Sequence, residues 1–233
     1  MSYRRLLVAL VASLALVVGA SPVLAGSETF RFTASSSFAY GSFTNLPMDG
    51  EELPPGTYFY TDVWASEWIV TGDAAYEEGS VCVFHGEFTI DADGNWTGEQ
   101  WLGACASGAD LSIARRLTGA SVMATLPVEE CLAWDEASGE CLEVVSLGTI
   151  LVDLSWIGDG PIYRSHGSYS GGVAGYYQYA SHGTASGRDA LLAGSATLTR
   201  PDGSEADLTG GLDGSGFMWQ SRGGSVEVII THG

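Results

Sequence analysis

Apolar and polar residues alternate along most of this chain, and helical periodicity is almost absent. Between Thr57 and Thr71, the residues Tyr58, Tyr60, Trp64, Trp68 and Val70 share one parity. Between Gly148 and Ile157, Ile150, Val152, Leu154 and Trp156 share one face, and the other carries Asp153 and Ser155 with Leu151 and Ile157 among them. A period of two marks half-buried to fully buried strands. Similar runs predict strands near 28–36, 78–91, 95–105, 109–117, 119–126, 161–169, 175–182, 190–199, 204–209, 216–221 and 225–231. Turn-forming clusters separate them: Met48-Asp49-Gly50, Pro54-Pro55-Gly56, Asp159-Gly160-Pro161, Pro201-Asp202-Gly203 and Asp213-Gly214-Ser215. Short strands at this spacing predict an all-β fold, a single antiparallel β-barrel or barrel-like sandwich of roughly ten to thirteen strands.

The stretch 127–146 departs from the rhythm. It is acidic and holds two of the four cysteines, and it reads as a stapled excursion from one domain, with a domain boundary as the weaker alternative. All four cysteines lie after Ala25, an even number in a part of the chain expected to be exported, so disulfides are expected. Asp93-Gly94 is a strong hairpin signal. With these two as the turn, Cys82 faces Cys105, and Cys131 and Cys141 bracket a loop with Asp135, Ser138 and Gly139 at its tip. The predicted pairs are Cys82–Cys105 and Cys131–Cys141. A strict two-residue hairpin puts the first pair at a hydrogen-bonded site, where Cβ atoms are farther apart. A bulge at Gly86, Gly98 or Gly103 would relieve this. The cysteine spacing contains no Cys-x-x-Cys pair, which argues against zinc.

Residues 1–25 read as a cleaved signal peptide. Arg4 and Arg5 precede the uncharged run Leu6–Gly19, and Val23-Leu24-Ala25 supplies small residues for cleavage before Gly26. That run is short for a bilayer span, and no later segment is apolar for long enough to make a spanning helix. A lipid-facing barrel would need apolar outer rows that several strands lack. The expectation is a secreted protein with no stable membrane anchor, with the periplasm as an alternative. Lysine is absent. The formal net charge is −19, and it becomes −21 once Arg4 and Arg5 are removed. Such a surface repels nucleic acid and anionic headgroups. The aromatic and β-branched content is nevertheless high enough for a packed core.

The best local candidate for a binding site is the repeated Ser-His-Gly at 165–167 and 181–183, read as two strands of one hairpin with a loop at 171–175. Near-symmetric pairing brings His166 opposite His182, close to Arg164, Tyr163, Tyr169, Tyr177 and Tyr179. Two imidazoles can share proton work or hold a metal, but a third ligand is not evident, Asp153, Asp189 and His85 being guesses. Surface histidines on a polar sheet face are the simpler reading, and no metal or cofactor is expected. Gly194-Ser195 and Gly214-Ser215 are not in a nucleophile-elbow context. The adjacent acid pairs Glu51-Glu52, Glu77-Glu78 and Glu129-Glu130 point to opposite faces of a strand. Asp91-Ala92-Asp93-Gly94-Asn95 opens like a calcium loop, but Leu102 stands where the twelfth-position Glu belongs. Asn95-Trp96-Thr97 is a glycosylation sequon. Of the seven tryptophans, Trp134 in the acidic stapled loop is the one expected to be exposed.

From Val152 to Leu198 the chain carries Asp153-Leu154-Ser155-Trp156-Ile157-Gly158-Asp159-Gly160-Pro161, then Arg164-Ser165, a Tyr-rich run, and Ala185 to Gly194. This resembles segments of small exported bacterial β-proteins with a Trp-x-Gly-x-Gly-Pro turn. The resemblance implies a secreted β-domain and assigns no activity and no site residues.

These features lead to a non-catalytic secreted domain that binds a small apolar or glycan ligand or a surface component. The candidate ligand residues are His166, His182, Tyr177, Tyr179 and Trp134. Two alternatives stay open: a hydrolase or isomerase working in a barrel mouth, and a self-associating surface protein using the Tyr/Gly/Ser edge from Gly167 to Gly183.

Overall fold

A computed structural model describes residues 28–47, 53–73, 75–135, 138–173, 177–223 and 226–230. The expected signal peptide, 1–25, lies outside them. The described residues form eleven strands: β1 (Glu28–Thr44), β2 (Gly56–Gly72), β3 (Tyr76–Ile90), β4 (Trp96–Ser107), β5 (Leu111–Ile113), β6 (Gly119–Trp134), β7 (Cys141–Val173), β8 (Tyr177–Thr199), β9 (Glu205–Asp207), β10 (Gly214–Gly223) and β11 (Val226–Ile230). They make one sheet in the order β4-β3-β2-β1-β10-β8-β7-β6-β5, with every ladder antiparallel. Strand β11 bridges the far ends of β1 and β8, and β9 adds to β8.

Alternation predicts which face is buried, and the structure agrees. Val63 and Ala65 on β2, Val81 and Val83 on β3, Ile150 to Trp156 on β7, and Leu192, Ala196 and Leu198 on β8 all belong to one apolar cluster. The same cluster takes in Ala104 from β4 and Val122 and Leu126 from β6, so the sheet curls until its two ends share a core. Among the described residues no ladder joins β4 to β5 or β6, although β4 and β6 lie side by side. The fold is therefore all-β, antiparallel and barrel-like, but the sheet is not closed.

Trp156 is the largest fully buried side chain among the described residues. Its Nε1 donates to the main-chain oxygen of Tyr40 at 2.8 Å, linking β7 to β1 past two intervening strands. Near Phe59 the segment after β9 packs Leu208 into the core, and the hydroxyl of Thr61 donates to the Leu208 carbonyl. That hydroxyl has a single hydrogen, so its 2.8 Å contact with His85 Nδ1 makes the imidazole the donor there. The Asp207 carboxylate fixes the same segment by accepting from Thr209 N (2.9 Å), Thr209 Oγ1 (2.7 Å) and Gly211 N (3.0 Å).

Both predicted disulfides are present. Cys82 stands opposite Cys105 in the β3–β4 ladder, as expected. The Cα–Cα distance of 4.1 Å is that of a close, non-hydrogen-bonded pair rather than the wider kind expected. A register shift between Glu87 and Thr89 accounts for the difference, and Gly98, with φ +62°, is the glycine that takes the bulge. The stretch 127–146 continues the β6–β7 ribbon, with shifts at Val128, Cys131 and Ala133.

Three expectations about strand limits change. The runs at 148–157 and 161–169 fuse into β7, because pairing with β8 resumes at Tyr163 after a shift beginning at Asp159, so Asp159-Gly160-Pro161 is a bulge rather than a turn. The runs at 175–182 and 190–199 likewise fuse into β8. The run at 109–117 shrinks to β5, and Arg116 and Leu117 take positive φ, with Leu117 buried in the core.

Candidate binding trough on the inner sheet face

On each of four strands the inward-facing row starts apolar and turns polar toward one end. On β8 it runs from Leu192 and Ala190 to Arg188, Ser186, Thr184 and His182. On β10 it runs from Met218 to Gln220 and Arg222, and on β1 from Phe43 and Ala39 to Ser37, Ser35 and Thr33. On β2, Val63 and Ala65 give way to Glu67, Ile69 and Thr71. The core cannot continue on such side chains, so the curled sheet is open at this end, opposite the end packed by Leu208.

Two cavities lie on this open inner face. One, of about 540 Å³, is lined by His166, Ser168, His182, Thr184 and Arg222, with glycines at 167, 183 and 223 exposing backbone between them. The other, of about 270 Å³, is lined by Thr33, Ser35, Ile69 and Thr71, with Ala34, and again by Arg222. Ladder register makes them one trough. His166 pairs with Thr184, Thr184 with Arg222, Arg222 with Ser35, and Ser35 with Ile69. Four strand spacings give a length of about 19 Å. Arg222 stands at the middle, exposed, with no ion pair or hydrogen bond among the described residues.

The surrounding charges are placed as follows. Arg188 is occupied, since its guanidinium donates to the carbonyls of Gly160 (3.1 Å) and Leu117 (3.4 Å). Arg164 stands opposite Ser186, exposed. Glu67 lies two residues from Ile69 on β2, and desolvation, with smaller contributions from Glu77 and Asp110, pushes its carboxyl above the usual range. At the rim Arg31 and Glu227 occupy opposite register positions on β1 and β11.

The expected residues divide between two places. His166 and His182 do share the inner face of β7 and β8, but they are not opposite each other. His182 faces Ser168 and His166 faces Thr184, because the bulge at 159–163 moves the register by two residues. Diagonal neighbours of this kind are about 7–8 Å apart at the backbone. Tyr177 and Tyr179 lie on β8 opposite Val173 and Gly171, and their side chains, like the loop at 174–176, lie outside the described residues. Trp134 is at the other end of β7 altogether, opposite Cys141, 62% exposed and beside the exposed Leu132 and Leu142. It is not part of the trough.

None of the guessed third metal ligands joins the histidines. Asp153 and Asp189 are on the outer parity of β7 and β8, and His85 faces Thr61. No group of three His, Cys, Asp or Glu residues able to hold a metal occurs among the described residues. Ser195 stands opposite Asp153 and Ser215 opposite Ser42, each away from the histidines.

Arg222, Thr184, Ser35 and Thr71 were missed in the sequence. A signal did exist at Arg222: it continues the parity of Met218 and Gln220, so a core-facing row was running into a cation.

No family model matches the chain, and no curated protein matches it. Among solved structures it is similar to the outer membrane protease OmpT from Escherichia coli, at 8% identity over 88% of this chain and 95% of that one, with a TM-score of 0.16. It is also similar to the β-barrel of the InvG secretin domain from Salmonella, at 10% identity over 99% and 68% of the two chains, with a TM-score of 0.16. Overlaps this low carry no argument about activity.

Proposed function

We propose that this chain is an exported, non-catalytic binding domain that holds a small polar ligand in the trough, a glycan in preference to an apolar molecule. The observation behind this reading is the cavity of about 540 Å³, where imidazole and guanidinium groups with no partner among the described residues converge with hydroxyls and bare glycine backbone. Concave sites with a few convergent polar groups are the usual form of a ligand pocket. The lining sets Ser168 opposite His182 and Thr184 opposite His166, but none of its described residues is an acid that would orient either imidazole as a base, which favours binding over chemistry. The interior beneath the trough is filled by Trp156, Phe43, Leu126 and Leu192. Two formed disulfides are compatible with an oxidising compartment outside the cytoplasm. The large apolar side chains of the core point inward, and the outer rows of β7 and β8 are mixed, with Asp153, Ser155 and Ser195 beside the exposed Leu151, Ile157 and Leu191, rather than the continuous apolar band of a lipid-facing barrel.

The test is thermal unfolding of the purified protein across neutral and acidic oligosaccharides, lipids and divalent cations. A ligand at 100 times its Kd adds about 2.7 kcal/mol. The expected result is a selective rise in Tm that is lost in the His166→Ala/Arg222→Ala double variant. A rise with lipid alone, or one that survives the double variant, would refute the reading.

A further inference from the structure

We propose that the trough selects an oxyanion-bearing ligand, with a carboxylate, phosphate or sulfate group seated on Arg222 and the rest of the molecule lying along the hydroxyl-lined arms on either side. This rests on the binding reading above and narrows its ligand class. Three observations carry it.

The first is the absence of acids. The chain has 28 Asp and Glu residues, yet none of the described residues lining either cavity is one. The wall is acid-free on a protein whose exported part carries a formal charge of −21. The second is the state of Arg222. It is the one residue shared by both cavities, and no carboxylate or carbonyl among the described residues engages it. Arg188 shows the contrast, since its guanidinium is spent on two carbonyls. A free guanidinium offers a planar fork of donors that matches an oxyanion in two-point geometry. The third is the chemistry around it. Within the same lateral row, His166 and Thr184 flank Arg222 on one side and Ser35 on the other, all capable of donating. No acceptor-only side chain is among them.

The field of the whole protein opposes an anion, but over distances longer than about 8 Å it is screened at physiological ionic strength, whereas contact donors are not. The nearby acids are Glu67 on β2, whose carboxyl desolvation pushes above the usual range, and Glu77 on β3, which stands opposite Ile69 at the far end of the row from His166.

The experiment is isothermal titration of the protein with three probes: trigalacturonate, tripolyphosphate and neutral maltotriose, the last matched in length to the first. Each is titrated into wild type, Arg222→Met and Arg200→Met. Arg200 lies in the β8–β9 turn and its loss changes net charge equally, so it controls for the long-range field. Binding of one or both anions at one site, weakened at least about tenfold by Arg222→Met and less than about twofold by Arg200→Met, is the expected result. Which anion binds distinguishes a carboxylated sugar from a phosphate source. Because Arg222 is exposed and unpaired, its substitution leaves the fold intact, and an unchanged Tm verifies this. Binding of maltotriose with neither anion overturns the anion assignment and leaves the binding reading standing. Failure of all three overturns the anion assignment and counts against the binding reading as well. Equal weakening by both variants shows a field effect and also overturns it.

Discussion

Trp156 offers the sharpest test of the packing that makes the trough. Its indole crosses the curled sheet from β7, is 1% exposed, and donates to the Tyr40 oxygen at 2.8 Å. Two glycines face it: a Cβ built at Gly41 would lie 3.1 Å from Trp156 Nε1, and one at Gly216 would lie 3.0 Å from it. Replacing Trp156 with Phe removes two ring carbons and the only donor. At about 0.8 kcal/mol per buried carbon, the lost burial contributes about 1.6 kcal/mol. The lost hydrogen bond adds about 1 kcal/mol. The sum, about 2–3 kcal/mol, lowers Tm by roughly 5–10 °C in a domain of this size. Urea unfolding followed by circular dichroism measures it, with an unchanged m-value as the sign that only stability moved. Trp134→Phe is the control, since that ring is 62% exposed and its substitution is expected to stay within about 0.5 kcal/mol. Gly216→Ala attacks the same contact from the other side, because its Cβ would also fall on the Tyr40 carbonyl. It is expected to cost about 1–3 kcal/mol. Combined with Trp156→Phe it should cost less than the sum of the two, because both variants disturb the same indole–Tyr40 hydrogen bond. If Trp156→Phe is as harmless as Trp134→Phe, the indole is not the cross-sheet tie described.

Other outcomes follow from particular residues. Burial holds the His85 imidazole below its ordinary pKa of 6.5, and Glu87 opposes this only partly. The unfolded chain therefore binds a proton that the folded chain refuses, so stability is flat above about pH 6.5 and falls below it, by at most about 1.4 kcal/mol per pH unit. His85→Asn, which keeps a donor to Thr61, should flatten that slope between about pH 5 and pH 7; an unchanged slope would contradict the assignment. Chain-entropy estimates give about 3.4 kcal/mol for Cys82–Cys105 and about 2.8 kcal/mol for Cys131–Cys141. The first is flanked by the core residues Val81, Val83 and Ala104, whereas the second ties a ribbon that opens without disturbing the core. Removing the second pair should thus cost less than about 1.5 kcal/mol and removing the first about 3 kcal/mol, and equal losses would refute the distinction. Along β7 from Tyr163 to Val173 only β8 provides ladder partners among the described residues. Alternate amides there should exchange with deuterium at least about tenfold faster than their neighbours. Uniform protection would mean that a second copy covers the edge, as the self-association alternative requires.

The sequence made the fold class and both disulfides legible for physical reasons. A period of two is difficult to mimic, and Asp93-Gly94 marks the turn between the cysteines; that turn closes at Asp91 and Asn95 rather than as a two-residue loop, and the bulge at Gly98 restores the register that sets Cys82 opposite Cys105. Strand length was not legible, because Asp159-Gly160-Pro161 is locally the same whether the chain turns back or bulges within a ladder. The same bulge moved His166 from opposite His182 to its diagonal. The long ribbon at 127–146 looked like an excursion because its charges and apolar residues are both exposed, which removes the contrast that alternation normally gives.

The trough escaped notice for a different reason. A strand's parity says which face a side chain is on, but not where along that face the core stops. On β8 the same row that seats Leu192 in the interior seats His182 in solvent five turns of the pleat further on. The transition is visible only when the neighbouring strands are aligned, because β1, β2 and β10 turn polar at the same level. That simultaneity is the argument that the open end is a built site. One polar residue facing inward is an accident that a core tolerates when it is paired. Ser35, Thr184 and Arg222 face inward at one level, with Thr71 and His182 one pleat repeat beyond, and the cation among them has no partner among the described residues. A sheet whose only task was to close on itself would have continued its apolar row or ended its strands at that level; here the strands run on, and the surface they carry is shaped to donate hydrogen bonds.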